Sequence, residues 1–273
     1  MSRLLQIANP HRRAYPSDLS DAEWKIIQPL LPAAKGFGHP RTVDLREILN
    51  GIFYVQRSGC QWEMMPHDLP PYGTVYKYFQ KWERKGIWKQ IHDRLRHKVR
   101  TQMGRTEKSS VAIADSQSVE TTGKKGEVYG FDGGKLVKGR KRHIVVDSQG
   151  LLIGMLVTEA NAPERLGAAV VLHEAGNELA QTEVIWVERG YGGENFTRVV
   201  QQICGARVEV IERIAKTFEV LPKRWSVERT FGWFNRYRRL SKDYELHSES
   251  SEAMIYGSLI RLMIRRLAAS SFL

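Results

Sequence analysis

Cysteine is almost absent from this chain: Cys60 and Cys204 stand 144 positions apart, with no CxxC and no Cys/His spacing. That argues against a disulfide framework and a zinc site, and leaves two thiols expected to be ordinary buried side chains. Long apolar runs are missing too. The stretch from Leu151 to Val157 falls far short of the ~20 residues that span a bilayer, so no transmembrane helix is expected. The opening MSRLLQIANPHRRAYP contains no secretory h-region, which points to a cytoplasmic, nucleoid-associated location. No internal repeat or low-complexity tract is visible. Acids are scarce relative to bases, 30 Asp and Glu against 42 Lys and Arg, for a net charge of +12. A polyanion is the expected partner, nucleic acid first among them.

What is present suffices for a core. With 42% hydrophobic and 10% aromatic residues in 273, the chain suits one large domain or two modest ones. The positive charge is concentrated. Residues 1–110 carry 19 basic and 10 acidic side chains; a second cluster is Lys135, Lys138, Arg140, Lys141 and Arg142; a third runs from Lys223 to Lys242, with seven basic residues around the single acid Glu228.

Residues 17–100 read as successive helices. Ser20 and Glu23 have capping-box spacing ahead of Trp24, Ile27, Leu30 and Leu31, and Pro32 ends that helix. Leu45, Ile48, Leu49, Ile52 and Phe53 form a second stripe that runs out near Gly59. A third helix starts around Thr74, with Val75, Phe79 and Trp82 as its core face. Lys77, Gln80, Lys81 and Arg84 lie opposite, as a recognition helix requires, although a plain solvated basic face fits the same pattern. A fourth helix spans Trp88 to about Arg100. After the polar stretch 101–110 the pattern turns to strands: Val111 to Ala114 closing at Asp115, His143 to Val146, and Leu151 to Val157, the last two joined by the turn 147–150. Ala162 to Leu179 reads as a helix, Val184 to Val187 as a strand closing at Glu188, Glu194 to Ile203 as a helix, and Arg207 to Ile211 as a strand. A helix from Pro222 to about Leu240 follows, and a last one from Ser251 to Arg266. The order implies a mixed α/β sheet flanked by helices, preceded by an all-α, helix-turn-helix-like domain, with residues 1–105 and 106–273 as the two domains.

In such a sheet, acids that close adjacent strands face one another. Asp115 and Glu188 are in those positions, and Glu228 is the acid that the Pro222 helix would bring to them. On a helical wheel its neighbours are Arg224, Gly232, Asn235, Arg239 and Lys242. Hard oxygen ligands of this kind can hold two divalent metals ~3.5 to 4 Å apart and drive phosphodiester chemistry. Each acid taken singly also fits a cap or a surface salt bridge.

The segments IADSQSV (113–119), GRKRH (139–143), Gly190-Tyr191 with Gly193, RWSVERTFGW (224–233) and RYRRL (236–240) resemble the transposases of bacterial insertion sequences, of the insertion-sequence-five family. YPSDLSDAEW (15–24) and SGCQW (58–62) are similar to the same family, so the likeness covers nearly the whole chain. It implies an RNase H-like fold with a DDE triad of Asp115, Glu188 and Glu228, magnesium dependence with manganese as a substitute, cleavage at the terminal inverted repeats, and strand transfer into target double-stranded DNA. Pairing of ends implies a homodimer or higher on DNA. Two positions depart from the pattern: glutamate stands at 188 where the family has aspartate, and Leu221 where it has tyrosine. Lys77, Lys81, Arg84, Lys138, Arg140, Lys141, Arg142, Arg224, Arg236, Arg238, Arg239 and Lys242 are the expected DNA contacts. Tyr191 is expected either to stack on a base or to pack under the sheet. A catalytically impaired relative that only binds DNA and an RNase H-like nuclease are the alternatives.

Overall fold

The computed structural model describes residues 12–33, 41–123, 126–211 and 222–269. The opening residues, on which the leader expectation rests, lie outside them. The chain clusters into two units, one drawn from Met1–Met103, Tyr237–Leu240 and Ala253–Leu273, the other from Gly104–Arg236 and Ser241–Glu252. Two late segments thus cluster with the first unit. Among the described residues no helix is long and apolar enough to cross a membrane.

In the first unit, α1 (Asp21–Ile27) begins with the full capping box: Glu23 N donates to Ser20 Oγ at 3.3 Å and Ser20 N to Glu23 Oε2 at 2.7 Å. It ends before Pro32, because Pro29 starts a 3-10 turn over Gln28–Leu30. The helix α2 (Leu45–Ser58) buries Ile48, Leu49, Ile52 and Phe53. Gly59 closes it at φ 74°, where a Cβ would also meet Arg238 Cβ at 2.9 Å. Glycine suits both the left-handed cap and the close approach. Two further helices, α3 (Tyr72–Arg84) and α4 (Ile87–Gln102), meet at Gly86, φ 62°. Trp82 and Trp88 hold that corner edge to face at 5.3 Å, and Trp88 Nε1 donates to Phe79 O. Residues 253–269 of α8 (Ser248–Ala269) complete the unit. Its Arg261 pairs with Glu23 at 2.6 Å, and Gln56 Nε2 donates to Met254 O.

The second unit is built on a six-stranded sheet in the order β2-β3-β1-β5-β6, with β4 also on β3. The strands are β1 (Val111–Glu120), β2 (Gly130–Asp132), β3 (Val137–Asp147), β4 (Leu152–Glu159), β5 (Val184–Glu188) and β6 (Arg207–Ile211). The first four pair antiparallel, while β5 and β6 run parallel to β1. The helices are α5 (Glu164–Glu174), α6 (Glu194–Cys204) and α7 (Pro222–Phe234). Ala112, Ala114, Ile185 and Val187 share a core with Val171 and Leu172 of α5 and Phe196 and Val200 of α6. This is the mixed α/β sheet flanked by helices that the element order implies. Cys60 and Cys204 are free and half-buried rather than fully buried.

Several local expectations are corrected. The strand through Asp115 does not stop there: β3 pairs with β1 as far as Glu120↔Gly139, so Asp115 lies mid-strand. The glycine-rich stretch at 130–134 is partly strand, and β3 starts at Val137 rather than His143. The helix α7 ends at Phe234, not Leu240, so Arg239 and Lys242 are not on the helix that carries Glu228. The basic run of β3 is turned inward. Arg140 is fully buried, donating from Nε to Val128 O at 2.8 Å, from Nη1 to Asp243 Oδ1 at 3.0 Å and Glu245 O at 2.9 Å, and from Nη2 to Leu246 O at 2.8 Å. Asp243 also accepts from Glu245 N and from Ser251 Oγ.

Removing one partner of a buried ion pair leaves the other charge uncompensated. Asp243→Asn should therefore lower unfolding stability by ~3 to 5 kcal/mol in urea titration. Lys138→Ala, at an exposed position of the same strand, should stay within about 0.5 kcal/mol. Equal midpoints for the two variants would refute the structural role of the pair. A second expectation concerns pH. Burial pushes the Glu252 carboxyl up to about 7, with Glu174 and Glu249 adding repulsion and the bond from Val157 N opposing it. Because the folded state holds this proton more tightly than the unfolded chain, stability from this group is present at low pH and lost as pH rises toward 7. Glu252→Gln should flatten the decline measured between the unfolded carboxylate range and neutrality.

Candidate active site

The parallel register of β1 with β5 sets the site. Ile113 pairs with Trp186, so continuing the register by two residues puts Asp115 level with Glu188, the last residue of β5. Alternation along the strands places both on the face opposite the alanine and valine core. Asp115 is half-buried and its Oδ1 accepts from Ser116 N at 2.7 Å. Glu188 is half-buried, just before a 3-10 turn over Arg189–Tyr191. That turn is held by α5, whose Arg165 Nε donates to Gly190 O at 2.9 Å. Glu228 is half-buried on α7, whose inner face packs Val227, Thr230 and Phe234. Three bonds fix the start of α7 on the β3–β4 turn: Ser226 Oγ to Ser148 O, Arg229 Nη2 to Gln149 O and Thr230 Oγ1 to Gly150 O. Gly232 is exposed with open space where its Cβ would point.

Glu164, at the start of α5, is an acid that the sequence reading missed. Its Oε1 accepts from Ser116 Oγ at 2.8 Å and Lys135 Nζ at 3.0 Å, and Lys135 Nζ also reaches Ser116 O at 3.3 Å. Burial would raise the Glu164 carboxyl, but Lys135 and Ser116 outweigh it and hold the group below its ordinary value. A Cβ on Gly190 would lie 3.5 Å from Glu164 Oε2. Tyr191 is buried to 1% beside these groups, its ring against Phe196. Burial drives its hydroxyl far above the usual phenol range, and the negative charges of Asp115, Glu164 and Glu188 add to the effect. Its stacking role is thus corrected in favour of packing under the sheet.

Residues 106–263 match the family model described as "Transposase DDE domain", and residues 19–92 the one described as "Putative transposase of IS4/5 family". The chain belongs to the DDE transposases. Among curated relatives, "Insertion element IS402 uncharacterized 16.2 kDa protein" of Burkholderia cepacia is 29% identical over 115 residues, covering 38% of this chain and 74% of that protein. "Putative transposase for insertion sequence element IS402" of the same organism is 27% identical over 132 residues, 45% of this chain and 60% of the relative. "Uncharacterized protein y4sN" of Sinorhizobium fredii is 31% identical over 70 residues, 25% of this chain and 55% of the relative. For the last two, the match spans less than two thirds of the relative's own length. Membership places the sheet among RNase H-like DDE domains, a family that generally uses divalent metals.

Asp115 and Glu188 share a level and offer hard oxygen donors, yet among the described residues no group of three or more Asp, Glu, His or Cys is arranged to hold a metal ion.

The cations expected on DNA divide by burial. Lys77, Lys81, Arg84, Lys138, Arg236, Arg238 and Lys242 are exposed. Lys242 makes an ion pair with Glu120 at 2.6 Å. Arg140, Lys141, Arg142 and Arg239 are buried, and the expectation that they touch phosphate is corrected. Lys141 Nζ donates to Ala162 O, and Arg239 Nη1 to Cys60 O. Burial pulls the Arg142 guanidinium down to about 10, and it lies 6.0 Å over the Phe234 ring. The side chain of Arg224 lies outside the described residues. The GRKRH segment thus locks the fold: its His143 ring leaves no room for a Cβ at Gly167, 2.3 Å away. Positional pattern alone gave no signal for Glu164. A Pro163-Glu164 helix start facing the Ser116 strand was the available clue.

Proposed function

We propose that the chain is a DNA transposase that binds the terminal inverted repeats of an insertion sequence, as a dimer or higher assembly, cleaves a strand at each end and joins the 3′ hydroxyl to target DNA. Asp115, Glu188 and Glu228 are the acids of that reaction, with magnesium as the ion and manganese as its substitute. The observation that carries this reading is the β1–β5 register, which brings Asp115 level with Glu188 inside a DDE domain. Clustered carboxylates repel a phosphodiester, so DNA is accepted only where their charge is offset. Lys135 offsets Glu164, and a divalent ion would do the same for Asp115 and Glu188. The exposed Lys77, Lys81 and Arg84 of α3 supply cations on the side opposite the buried Val75, Phe79 and Trp82, which supports α3 as the helix that reads the ends.

A second reading, a relative that binds DNA but cleaves poorly, is favoured by one observation: glutamate stands at 188 where the family has aspartate. Its longer arm displaces the carboxylate, and misplacement of a reacting group by ~1 Å can cost roughly a hundredfold in rate.

Cleavage and joining of a labelled terminal repeat in magnesium separates these readings. Asp115→Asn and Glu228→Gln should each reduce cleavage by about a hundredfold or more while end binding survives, since the amide keeps the shape and loses the charge. Normal cleavage by either variant overturns the assignment of the acids. Binding by wild type without any cleavage in magnesium or manganese selects the second reading. For the reader helix, Lys77→Ala, Lys81→Ala and Arg84→Ala combined in the full chain should weaken end binding and flatten its salt dependence by up to about three phosphate contacts. An unchanged salt slope would exclude α3 as the reader.

A further inference from the structure

The β2–β3 hairpin presents apolar side chains to water beside the acids, which neither the fold nor the proposed chemistry requires. Phe131 is 54% exposed and Leu136 77% exposed. Leu136 also has φ 54°, the left-handed conformation that a leucine rarely adopts. An outlier of this kind, held by its surroundings, calls for a functional explanation. The surroundings do hold it. Inward-facing Asp132 accepts from Ser118 Oγ at 2.6 Å, from Gly134 N at 3.1 Å and from Lys135 N at 3.0 Å, and pairs with Lys141 at 3.4 Å. These bonds keep its carboxyl down at about 2 despite burial. Lys135 then crosses to Ser116 O and Glu164, so the tip is tethered to the residue that follows Asp115. On the outward face Phe131 pairs with exposed Lys138. A rigid root, two apolar side chains at the tip and a cation alongside match what is needed to part stacked bases while holding a phosphate.

We propose that this hairpin is a wedge that enters duplex DNA next to the acids, with Phe131 and Leu136 inserted between base pairs and Lys138 on the adjoining backbone. The proposal rests on the transposase reading and adds to it the deformed state of the DNA at the site. Unstacking is costly, and a duplex whose stack is already broken spares the protein that cost. The wild-type full chain, with metal chelated, should therefore bind a short duplex with a central two-base mismatch about tenfold more tightly than the fully paired duplex, measured by fluorescence anisotropy. Combined Phe131→Ala and Leu136→Ala, both at exposed positions, should abolish that preference. Phe131→Trp should retain it. If the wild type binds neither duplex, the transposase reading fails and the wedge with it. If it binds both equally, or if the preference survives in the double alanine variant, the wedge alone is overturned.

Discussion

A guanidinium closed off from water organises the catalytic-domain sheet. Arg140 ties the segment before β2, the strand β3 itself and the turn at 243–246 into one cluster, meeting three carbonyls and one carboxylate. A buried charge is tolerable only when its donors are met, and Arg with its fixed fork of N–H groups can meet several partners at once. Because β3 is paired on both sides, by β1 along one edge and by β2 and β4 along the other, its placement fixes β1. The registers that follow put Asp115 beside Glu188. The level of Asp115 with Glu188 thus depends on a cation buried out of reach of water.

This is also where a reading of the sequence reaches its limit. Local signals were legible: the Ser20–Glu23 box, the Gly59 cap, the Asp147 turn with its bonds from Gln149 N and Leu151 N, and the strand-closing Glu188. Each depends on residues close together in the chain. The run from Arg140 to Arg142 was misread because charge density suggests solvation, whereas most partners of Arg140 lie more than a hundred residues away at 243–246. The end of α7 at Phe234 was missed for a related reason. Residues 235–240 have no strong helix breaker, and the turn is set by tertiary contacts such as Arg239 with the Cys60 carbonyl. The resemblance motifs SGCQW and RYRRL, distant in sequence, pack on each other there.

The surroundings of the acids show a division of labour between charges. Lys135 compensates Glu164 through a 3.0 Å pair, while Tyr191 is buried with its ring against Phe196. Burial of Tyr191 stiffens the turn after β5, and Arg165 holds the same turn through Gly190 O. Glu188 is therefore presented by a short segment anchored on both sides, which limits how far its longer side chain can be accommodated by backbone movement.

The make-up of the first unit has a bearing on how the protein is made. Its helices α1 and α2 are braced by Arg261 and by the carbonyl of Met254, residues translated after the whole catalytic sheet. A nascent chain therefore holds Glu23 and Gln56 without these partners until synthesis reaches the final helix. The unit that emerges first from the ribosome is the last to be completed. A chain interrupted late in translation, even beyond Asp115, Glu188 and Glu228, would lose the bracing of its opening helices along with that helix.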